Sequence, residues 1–399
     1  MILVVSLNPA LDLTYEVETA DWAGVNRPHT VHVRPGGKGV NVARTLRALG
    51  REVRLVGLIG GAAGAELAEL LAGSGIEVAF TAIAGHTRRT LTVVDSARDQ
   101  AALFNEPGPL VEPGEYAEFV AAYRAALDEC DVVVLSGSLP GGVGAEAYAG
   151  LIVAARAASV PVILDTSGSA LIVGAAAGPT LIKPNLAELE QVTGRSLGAE
   201  PARVPASASA PASAPASPPT SVPGPVPTVA SSSATSHATP APVTPPDPPS
   251  ALAVDSAPSA GAEPATSGEP CCRSGCIGGT SVSLVEEAAR ELARGGAEFV
   301  VVSLGAAGLL AVTGEGSWLA RPGERVDGNP TGAGDAVVAG LADGLMRGLG
   351  WPALLRQAVA LGAATVAAAV AGEFASQEYE RQHRSAMVRP GGRGVGGAR

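Results

Sequence analysis

Aromatic residues are scarce in this chain of 399 residues, and their scarcity limits how its core can be built. Tryptophan, tyrosine and phenylalanine together make up 3% of the residues, whereas hydrophobic residues make up 46%. The core must therefore consist mainly of alanine, valine and leucine. Short aliphatic side chains of this kind are typical of buried parallel strands and of the helices that cover them. The composition favours an α/β fold with a large core.

Charges and cysteines are also few, and this shortage excludes several classes of protein. Charged residues make up 16% of the chain and the net charge is −11, so nothing indicates a basic surface for nucleic acid. Four cysteines do not form the disulfide framework of a small secreted protein. No apolar run resembles a membrane span, and the segment from Met1 to Leu7 predicts a strand rather than a signal peptide. We therefore expect a cytoplasmic protein that binds neither nucleic acid nor a membrane.

One long segment contains little that a core could bury. Residues 199–279 are nearly all proline, alanine, serine, threonine, glycine and valine, which is the composition of a disordered chain. Because loop closure is only slightly harder for a long loop than for a short one, we interpret the segment as a disordered insertion in a surface loop. Residues 1–198 and 280–385 are predicted to form a single domain, and residues 386–399 a flexible tail.

Two hydrophobic patterns divide this domain. From Pro113 onward, short apolar strands alternate with helices, which predicts right-handed crossovers and a mostly parallel sheet. Stretches near residues 13–17, 29–34 and 89–105 instead alternate apolar and polar side chains, as the strands of a half-exposed sheet do. We interpret these stretches as a small lid beside the main sheet.

A glycine-rich turn is predicted at Thr331-Gly332-Ala333-Gly334-Asp335, directly before an apolar helical run. The glycines allow backbone N–H groups to converge, and the positive end of the helix adds to their attraction for an anion. Asp335 at the mouth of the helix could take a proton from an attacking hydroxyl while the N–H groups hold a phosphoryl group. The alternative is a tight turn in which the aspartate only caps the helix.

A second glycine-rich loop, Gly36-Gly37-Lys38-Gly39, opens an earlier helix. Lys38 is expected at the mouth of that helix as a point charge suited to phosphate, and Asn41 could hydrogen-bond a sugar hydroxyl. The alternative is a solvated lysine on a glycine-rich loop. Two such loops favour a phosphate site, because parallel sheets bind ligands at the carboxyl ends of their strands.

Further polar side chains follow or begin predicted strands. Asp12 comes after the first strand, and Arg88 lies at the start of a strand of the predicted lid. Asn185 and Glu188 are three residues apart, so both can lie on one face of a first helical turn and steer a hydrated Mg²⁺ ion. The alternative for this pair is a capping box, in which each side chain accepts a hydrogen bond from the other residue's backbone.

Four motifs, in this order, resemble those of the PfkB family of ribokinase-like carbohydrate kinases. They are Gly36 to Ala43, Lys183-Pro184-Asn185 with Glu188, Ser303-Leu304-Gly305, and Thr331 to Asp335. The resemblance implies a three-layer α/β/α fold with a mostly parallel central sheet and a small β-sheet lid. It also implies a kinase that uses ATP and Mg²⁺.

Within that family, the segments from Leu7 to Asp12, Thr87-Arg88 and Ser136 to Pro140 resemble the branch of 1-phosphofructokinases and tagatose-6-phosphate kinases. The resemblance implies that Asp335 is the general base and that Gly332, Ala333 and Gly334 form the anion hole. It assigns the sugar to Asp12, Gly37 and Asn41, and the phosphate of the sugar to Lys38, Arg88 and Ser138. It assigns ATP to Lys183, Asn185, Glu188, Ser303 and Gly305, with Mg²⁺ held through water by Asn185 and Glu188.

The resemblance leaves alternatives open. The leading acceptor is fructose 1-phosphate, and tagatose 6-phosphate, fructose 6-phosphate, a free sugar and a nucleoside are the alternatives. A non-catalytic sugar-phosphate sensor on the same fold is disfavoured, because the expected catalytic positions are all present. Lids of this family often pair two subunits, which implies a homodimer through the lid. Asn329-Pro330 stands where the family often has Asp-Thr, so the resemblance does not extend to contacts of that pair, a monovalent-cation site included.

Overall fold

Two β-sheets organise the part of the chain that the computed structural model describes, namely residues 1–98, 100–198, 276–277, 280–368 and 372–391. Within these residues, the central sheet has ten strands and a second sheet has four. All the described residues belong to one compact unit. No helix among them combines the length and apolarity needed to span a membrane.

The central sheet is mostly parallel. Its strands in chain order are β1 (Ile2–Ser6), β4 (Val53–Ile59), β5 (Glu77–Ala82), β8 (Val132–Ser136), β9 (Val162–Asp165), β10 (Leu181–Ile182), β13 (Phe299–Ser303), β14 (Leu309–Thr313), β15 (Gly316–Arg321) and β16 (Met387–Pro390). In space they lie in the order β5-β4-β1-β8-β9-β10-β13-β14-β15-β16. Neighbours from β5 to β13 run parallel, and the last three pairs run antiparallel.

Helices cover both faces of this sheet. One face carries α1 (Lys38–Ala48), α2 (Gly61–Leu71), α8 (Ala333–Met346) and α9 (Trp351–Val366). The other carries α3 (Pro113–Ala126), α4 (Ala147–Ala157), α5 (Gly168–Ala176), α6 (Leu186–Thr193) and α7 (Val282–Arg294). A further helix, α10 (Ser376–Ser385), packs on α9, and short 3₁₀ turns span Leu127–Glu129 and Gly305–Ala307.

Side chains of the central strands alternate between the two layers, as the pleat of a strand requires. In β1, Ile2 and Val4 pack into the core beneath α1 and α8, whereas Leu3 and Val5 pack into the core beneath α3 and α4. All four side chains are fully buried. Two hydrophobic cores therefore sandwich the sheet, and the predicted three-layer α/β/α fold is confirmed.

The second sheet is the predicted lid. It contains β2 (Ala10–Val17), β3 (Thr30–Gly36), β6 (Arg88–Asp95) and β7 (Gln100–Asn105), in the spatial order β3-β2-β6-β7. The hairpin of β2 and β3 leaves the central sheet just after β1 and returns directly before α1. This connection anchors the lid at the edge of the central sheet where the parallel strands end.

The predicted flexible tail, residues 386–399, is wrong for residues 387–390. These residues form β16, which pairs antiparallel with β15 and extends the central sheet. Val388 is half-buried against the core that contains Trp318. The surrounding glycines and arginines hide this short strand in the sequence, and residues 392–399 lie outside the described part of the chain.

Most of the predicted insertion, residues 199–275 and 278–279, also lies outside the described residues. Near its end, β11 (Cys276–Ile277) pairs antiparallel with β12 (Thr280–Ser281), so the disorder expected up to residue 279 is wrong for residues 276–277. The hairpin leads directly into α7.

Candidate active site

The polar residues singled out in the sequence gather at the carboxyl edge of the central sheet. Five neighbouring strands, β1, β8, β9, β10 and β13, end there, and helices α1 and α8 begin there. Asp165 is the last residue of β9, Lys183 directly follows β10, and Ser303 ends β13. Residues far apart in the chain become neighbours because their strands are adjacent in the parallel sheet.

The loop that opens α1 requires glycine for two different reasons. Gly37 has a φ of +93°, a conformation that side chains other than glycine rarely adopt. A Cβ at Gly36 would collide with the carboxylate of Asp12, and one at Gly39 would collide with Ser6 of β1. The loop is therefore pressed against both the lid and the first central strand, which brings Lys38 and Asn41 into the site.

The turn that opens α8 holds Asp335 in its first helical turn. Gly332 has a φ of +83°, and the chain enters the helix from this left-handed residue. The backbone N–H of Ala333 donates to the carbonyl of Pro330 at 3.1 Å, so that donor is occupied. The N–H groups of Gly332 and Gly334 are left as the candidate anion donors, since the first turn of a helix supplies no carbonyl for them.

Asp335 is a buried carboxylate with one specific partner. Its side chain is only 7% exposed, and its Oδ2 accepts a hydrogen bond of 2.8 Å from the Nδ2 of Asn41. Burial, and next the negative charge of Asp165, raise the pKa of Asp335 to about 7, although Asn41 and two lysines oppose the shift. A carboxylate poised near neutral pH is well suited to accept a proton.

Two lysines converge on a second buried carboxylate. The Nζ of Lys183 lies 3.1 Å from the Oδ1 of Asp165, and the Nζ of Lys38 lies 3.6 Å from the same oxygen. A Cβ at Gly334 would lie 3.8 Å from the Lys183 ammonium, so this cation borders the glycine turn. The two ammonium groups and the turn together form a cationic, hydrogen-bond-donating surface beside Asp335.

Asp165 is the functional candidate that the sequence analysis missed. Its side chain is 1% exposed, yet the only signal in the sequence is an acid at the end of an apolar strand. Such an acid is also typical of an ordinary turn. Its importance depends on strand order, which places β9 directly beside β10 and so brings Asp165 to Lys183.

A separate group of predicted residues surrounds Asn8. The Nε of Arg88 donates to the Asn8 carbonyl at 3.3 Å, and the Nδ2 of Asn8 donates to the Oγ of Ser138 at 3.1 Å. Asp12 lies nearby, where burial raises its pKa to about 6 against the opposing effects of Thr90 and Arg88. Lys38 was predicted to act with Arg88 and Ser138, but its ammonium points to Asp165 instead.

The predicted nucleotide residues lie on the other side of Asp165. Asn185 and Glu188 form the capping box that the sequence left as an alternative, with reciprocal hydrogen bonds of 2.9 and 2.8 Å at the start of α6. The N–H of Ser303 donates to the Pro184 carbonyl at 3.0 Å, which joins two predicted ATP motifs. Gly305 follows in an exposed 3₁₀ turn.

The donor set fits Mg²⁺ only as an ion held through water. Among the described residues, no group of three or more His, Cys, Asp or Glu side chains could chelate a metal. Glu188 uses Oε2 in the capping box, while its Oε1 lies 3.8 Å from the Nζ of Lys38. With these groups already paired, Asn185 and Glu188 suit contacts to the hydration shell of an ion that is carried mainly by phosphate groups.

A buried carboxylate at a helix N-terminus, close to two lysines at the edge of a parallel sheet, is an arrangement suited to phosphoryl transfer. The chain matches the pfkB family carbohydrate kinases over residues 5–216 and 273–377, and it belongs to that family. The resemblance seen in the four sequence motifs is thereby confirmed. The chain is a carbohydrate kinase, an enzyme that transfers a phosphoryl group to a sugar hydroxyl.

Three similar proteins indicate which carbohydrate kinases this chain resembles. The 1-phosphofructokinase of Rhodobacter capsulatus is 32% identical over 349 residues, which cover 87% of this chain and 84% of that protein. Phosphofructokinase-2 from Escherichia coli, solved in complex with fructose-6-phosphate, is 25% identical to this chain. The two structures superpose with a TM-score of 0.69 over 96% of this chain and 98% of the Escherichia coli chain. A possible 1-phosphofructokinase from Thermotoga maritima shares the fold at 22% identity. Its TM-score is 0.69, and the match covers 98% of this chain and 100% of the Thermotoga chain.

Proposed function

We propose that this chain is an ATP-dependent sugar-phosphate kinase that converts fructose 1-phosphate into fructose 1,6-bisphosphate. The observation that carries the proposal is the buried Asp335 beside Lys183 and Lys38, with the separate group of Arg88 and Ser138 at the lid side. The first set suits phosphoryl transfer, and the second suits an acceptor that already carries a phosphate. The 1-phosphofructokinase relative supports fructose 1-phosphate as that acceptor.

In the proposed reaction, Asp335 accepts the proton of the sugar hydroxyl as that oxygen attacks the γ-phosphoryl group of ATP in line. The N–H groups of Gly332 and Gly334 and the ammonium group of Lys183 face the phosphoryl oxygens and stabilise their charge. The pKa of Asp335, about 7, keeps a useful fraction of the carboxylate charged at neutral pH while making it a stronger base than an ordinary aspartate.

The acceptor would lie between the lid and α1. Its phosphate is assigned to the Arg88 guanidinium and the Ser138 hydroxyl, and its hydroxyls to Asp12 and to the backbone at Gly37. Asn41 was expected to bind the sugar, and its hydrogen bond to Asp335 adds a second task, because it links the sugar side of the site to the base.

ATP is assigned to the side of the site that holds Lys183, Asn185, Glu188, Ser303 and Gly305. It would enter as its Mg²⁺ complex, with Asn185 and Glu188 contacting the hydration shell of the ion. The ion, when bound, draws negative charge from the phosphate groups. Because ATP and sugar phosphates occur in the cytoplasm, we assign the enzyme to that compartment.

We further propose a homodimer that pairs two lids. The lid exposes large apolar side chains, with Leu103 59% and Phe104 51% exposed on β7 and Val31 51% exposed on β3. Trp22, in the loop after β2, lies against Phe104 with ring centroids 6.3 Å apart and is itself 65% exposed. By the strand register, Phe104 and Val31 lie on one face of the lid, and exposed apolar side chains grouped on one face mark a contact with another protein.

The test is ATP-dependent ADP release by the purified chain with a panel of acceptors. The panel contains fructose 1-phosphate, fructose 6-phosphate, tagatose 6-phosphate, free fructose, ribose and adenosine. We expect kcat/KM to be highest for fructose 1-phosphate and lowest for the acceptors without phosphate. Preference for tagatose 6-phosphate or fructose 6-phosphate would overturn the assignment of fructose 1-phosphate as the acceptor but would leave the proposed mechanism unchanged. Tight binding of a sugar phosphate without turnover of any acceptor would make the protein a sensor.

A further inference from the structure

Asp165 occupies the centre of the charged network, although no motif assigns it a role. Its Oδ1 is the common partner of the Lys183 and Lys38 ammonium groups, at 3.1 and 3.6 Å. Its Oδ2 accepts a hydrogen bond of 3.2 Å from the hydroxyl of Ser136, the last residue of β8. The side chain is therefore fixed from two neighbouring strands and from the start of α1.

Two ammonium groups that share one oxygen atom must lie close together, and this requires a negative charge between them. Lys183 is almost fully buried, so its charge has little water to stabilise it. Burial alone would raise the pKa of Asp165, but the charges of Lys183 and Lys38 outweigh it and hold that pKa below the usual range. Asp165 is therefore a permanent anion at neutral pH.

We propose that Asp165 is a positioning residue for phosphoryl transfer, whose carboxylate holds Lys183 and Lys38 side by side at the N-terminus of α8. The inference rests on the proposed function, because the two lysines matter only if a phosphoryl group passes between ATP and a sugar there. In this proposal Asp165 acts through the two lysines rather than by its own contact with a substrate. It fixes the cations in advance, so that no reorganisation is needed when charge develops on the phosphoryl group.

Asp343 shows what a purely structural buried aspartate looks like in the same protein. It is also 1% exposed and forms ion pairs with Arg51 and Arg347, and it accepts a hydrogen bond of 2.6 Å from Gln357. It lies on α8 two helical turns beyond Asp335, and its partners Arg51 and Gln357 link α8 to the segment after α1 and to α9. Asp165 differs because both of its cations act electrostatically on Asp335, and Lys183 also borders the glycine turn.

Asp165 also affects the pKa of Asp335, the proposed base. The charged groups that act on Asp335 are Asp165 from β9, Lys183 after β10 and Lys38 from α1, and Asn41 donates its hydrogen bond. Asp165 raises the pKa of Asp335 and the lysines lower it. Removing the negative charge of Asp165 should therefore lower the pKa of Asp335 and move the acidic limb of the pH–rate profile to lower pH.

The experiment compares Asp165→Asn with Asp343→Asn in the full-length chain. For Asp165→Asn we expect kcat to fall about 100-fold at its plateau, since misplaced catalytic groups have effects of this size. We expect KM for the sugar phosphate to change less than about twofold, and the acidic limb to move to lower pH. Asp343→Asn should lower the unfolding midpoint and leave the limb in place. If both variants lose activity only in proportion to unfolding, Asp165 is structural and the proposal fails.

A double-variant comparison tests whether Asp165 acts through Lys183. If it does, Asp165→Asn combined with Lys183→Met should lose clearly less than the product of the two single losses, because Lys183→Met removes one of the two cations that Asp165→Asn misplaces. Independent losses that multiply would overturn the proposal.

Ser136→Ala keeps the test decisive if Asp165→Asn does not fold. This change removes only the hydrogen bond to Oδ2 and leaves every charge in place, so we expect a kcat loss of about 3- to 10-fold with the acidic limb unchanged. Unchanged kcat would argue against positioning. The wild-type chain, assayed alongside, separates the two proposals, since failure of the proposed function would leave the wild type itself inactive with every acceptor.

Discussion

At the scale of single residues, the site depends on carboxylates held in different charge states by their surroundings. Asp335 has a pKa near 7 because it is buried and lies near the charge of Asp165. Asp165 stays ionised because two lysines contact it directly. Neighbouring acids with separated pKa values can take different roles, one as a proton acceptor and the other as a fixed charge.

The hydrogen bond from Asn41 to Asp335 gives a prediction for pH dependence. The bond favours the charged carboxylate and lowers its pKa, so Asn41→Ala should raise that pKa. The base is then protonated over a wider range, and the acidic limb of kcat, near pH 7 in the wild type, should move upward by about one unit. A pH–rate profile measures the shift. An unmoved limb with a raised KM for the sugar would mean that Asn41 only binds substrate.

Sequence reasoning located the residues whose positions in the fold are encoded by local motifs. Asp335 and Lys183 stand in short motifs next to a predicted strand or helix, so their place at the edge of the sheet could be predicted. Asp165 could not be identified, because its role depends on contacts with Lys38 and Lys183, far away in sequence on other elements. The direction of the Lys38 side chain was likewise decided by this long-range charge.

At the scale of elements, strands also differ in whether local sequence or long-range contacts determine them. Long apolar runs such as Val132–Ser136 identify buried strands from sequence alone, whereas Met387–Pro390 does not, because only pairing with β15 orders it. The order of the strands in the sheet also cannot be predicted from a local pattern, since it depends on which helix covers which face.

The C-terminal strand should contribute measurably to stability. Removing residues 386–399 deletes the pairing of β16 with β15 and uncovers apolar surface at Trp318, so we expect a loss of about 1–3 kcal/mol in the free energy of unfolding. Urea denaturation measures this loss. Removing residues 392–399 alone is the matched control and should change nothing. Equal stability of the two truncated chains would contradict a structural role for β16.

The insertion should be dispensable for folding. Arg195 before it pairs with Glu287 and Glu291 of α7 after it, at 3.2 and 2.9 Å, so the fold holds the two ends together. Replacing residues 202–272 with a Gly-Ser linker of about ten residues should raise the free energy of unfolding by about 1–2 kcal/mol, because a shorter loop is easier to close. Turnover should stay within about twofold of the full chain. A chain that folds but turns over much more slowly would place the insertion in the catalytic cycle.

At the scale of the whole molecule, we assign the lid two tasks, since it carries the predicted sugar-site residues Asp12 and Arg88 on one face and exposes Phe104 and Val31 on the other. Dimerisation through the lid would link the subunit contact to the part of the protein that covers the sugar. The sheet and its helices would then serve as the fixed base on which the lid acts.

Charge placed on the lid should dissociate the dimer. Phe104→Glu puts a carboxylate into the proposed contact, and we expect the variant to sediment as a monomer at concentrations where the wild type is a dimer. Val153→Glu, on α4, is the matched control, because Val153 is 57% exposed and lies outside the lid. A wild type that is monomeric at every concentration, or equal dissociation of both variants, would contradict a lid-mediated dimer.

The measurement that tests the central claim most directly is the turnover of Asp335→Asn with ATP and the preferred sugar phosphate at pH 8. Loss of the general base should lower kcat by about 10²- to 10⁴-fold. The unfolding midpoint should not fall, because the raised pKa shows that the folded protein disfavours the charged carboxylate that the variant removes. A variant that folds like the wild type and keeps its turnover would contradict the assignment of Asp335 as the base.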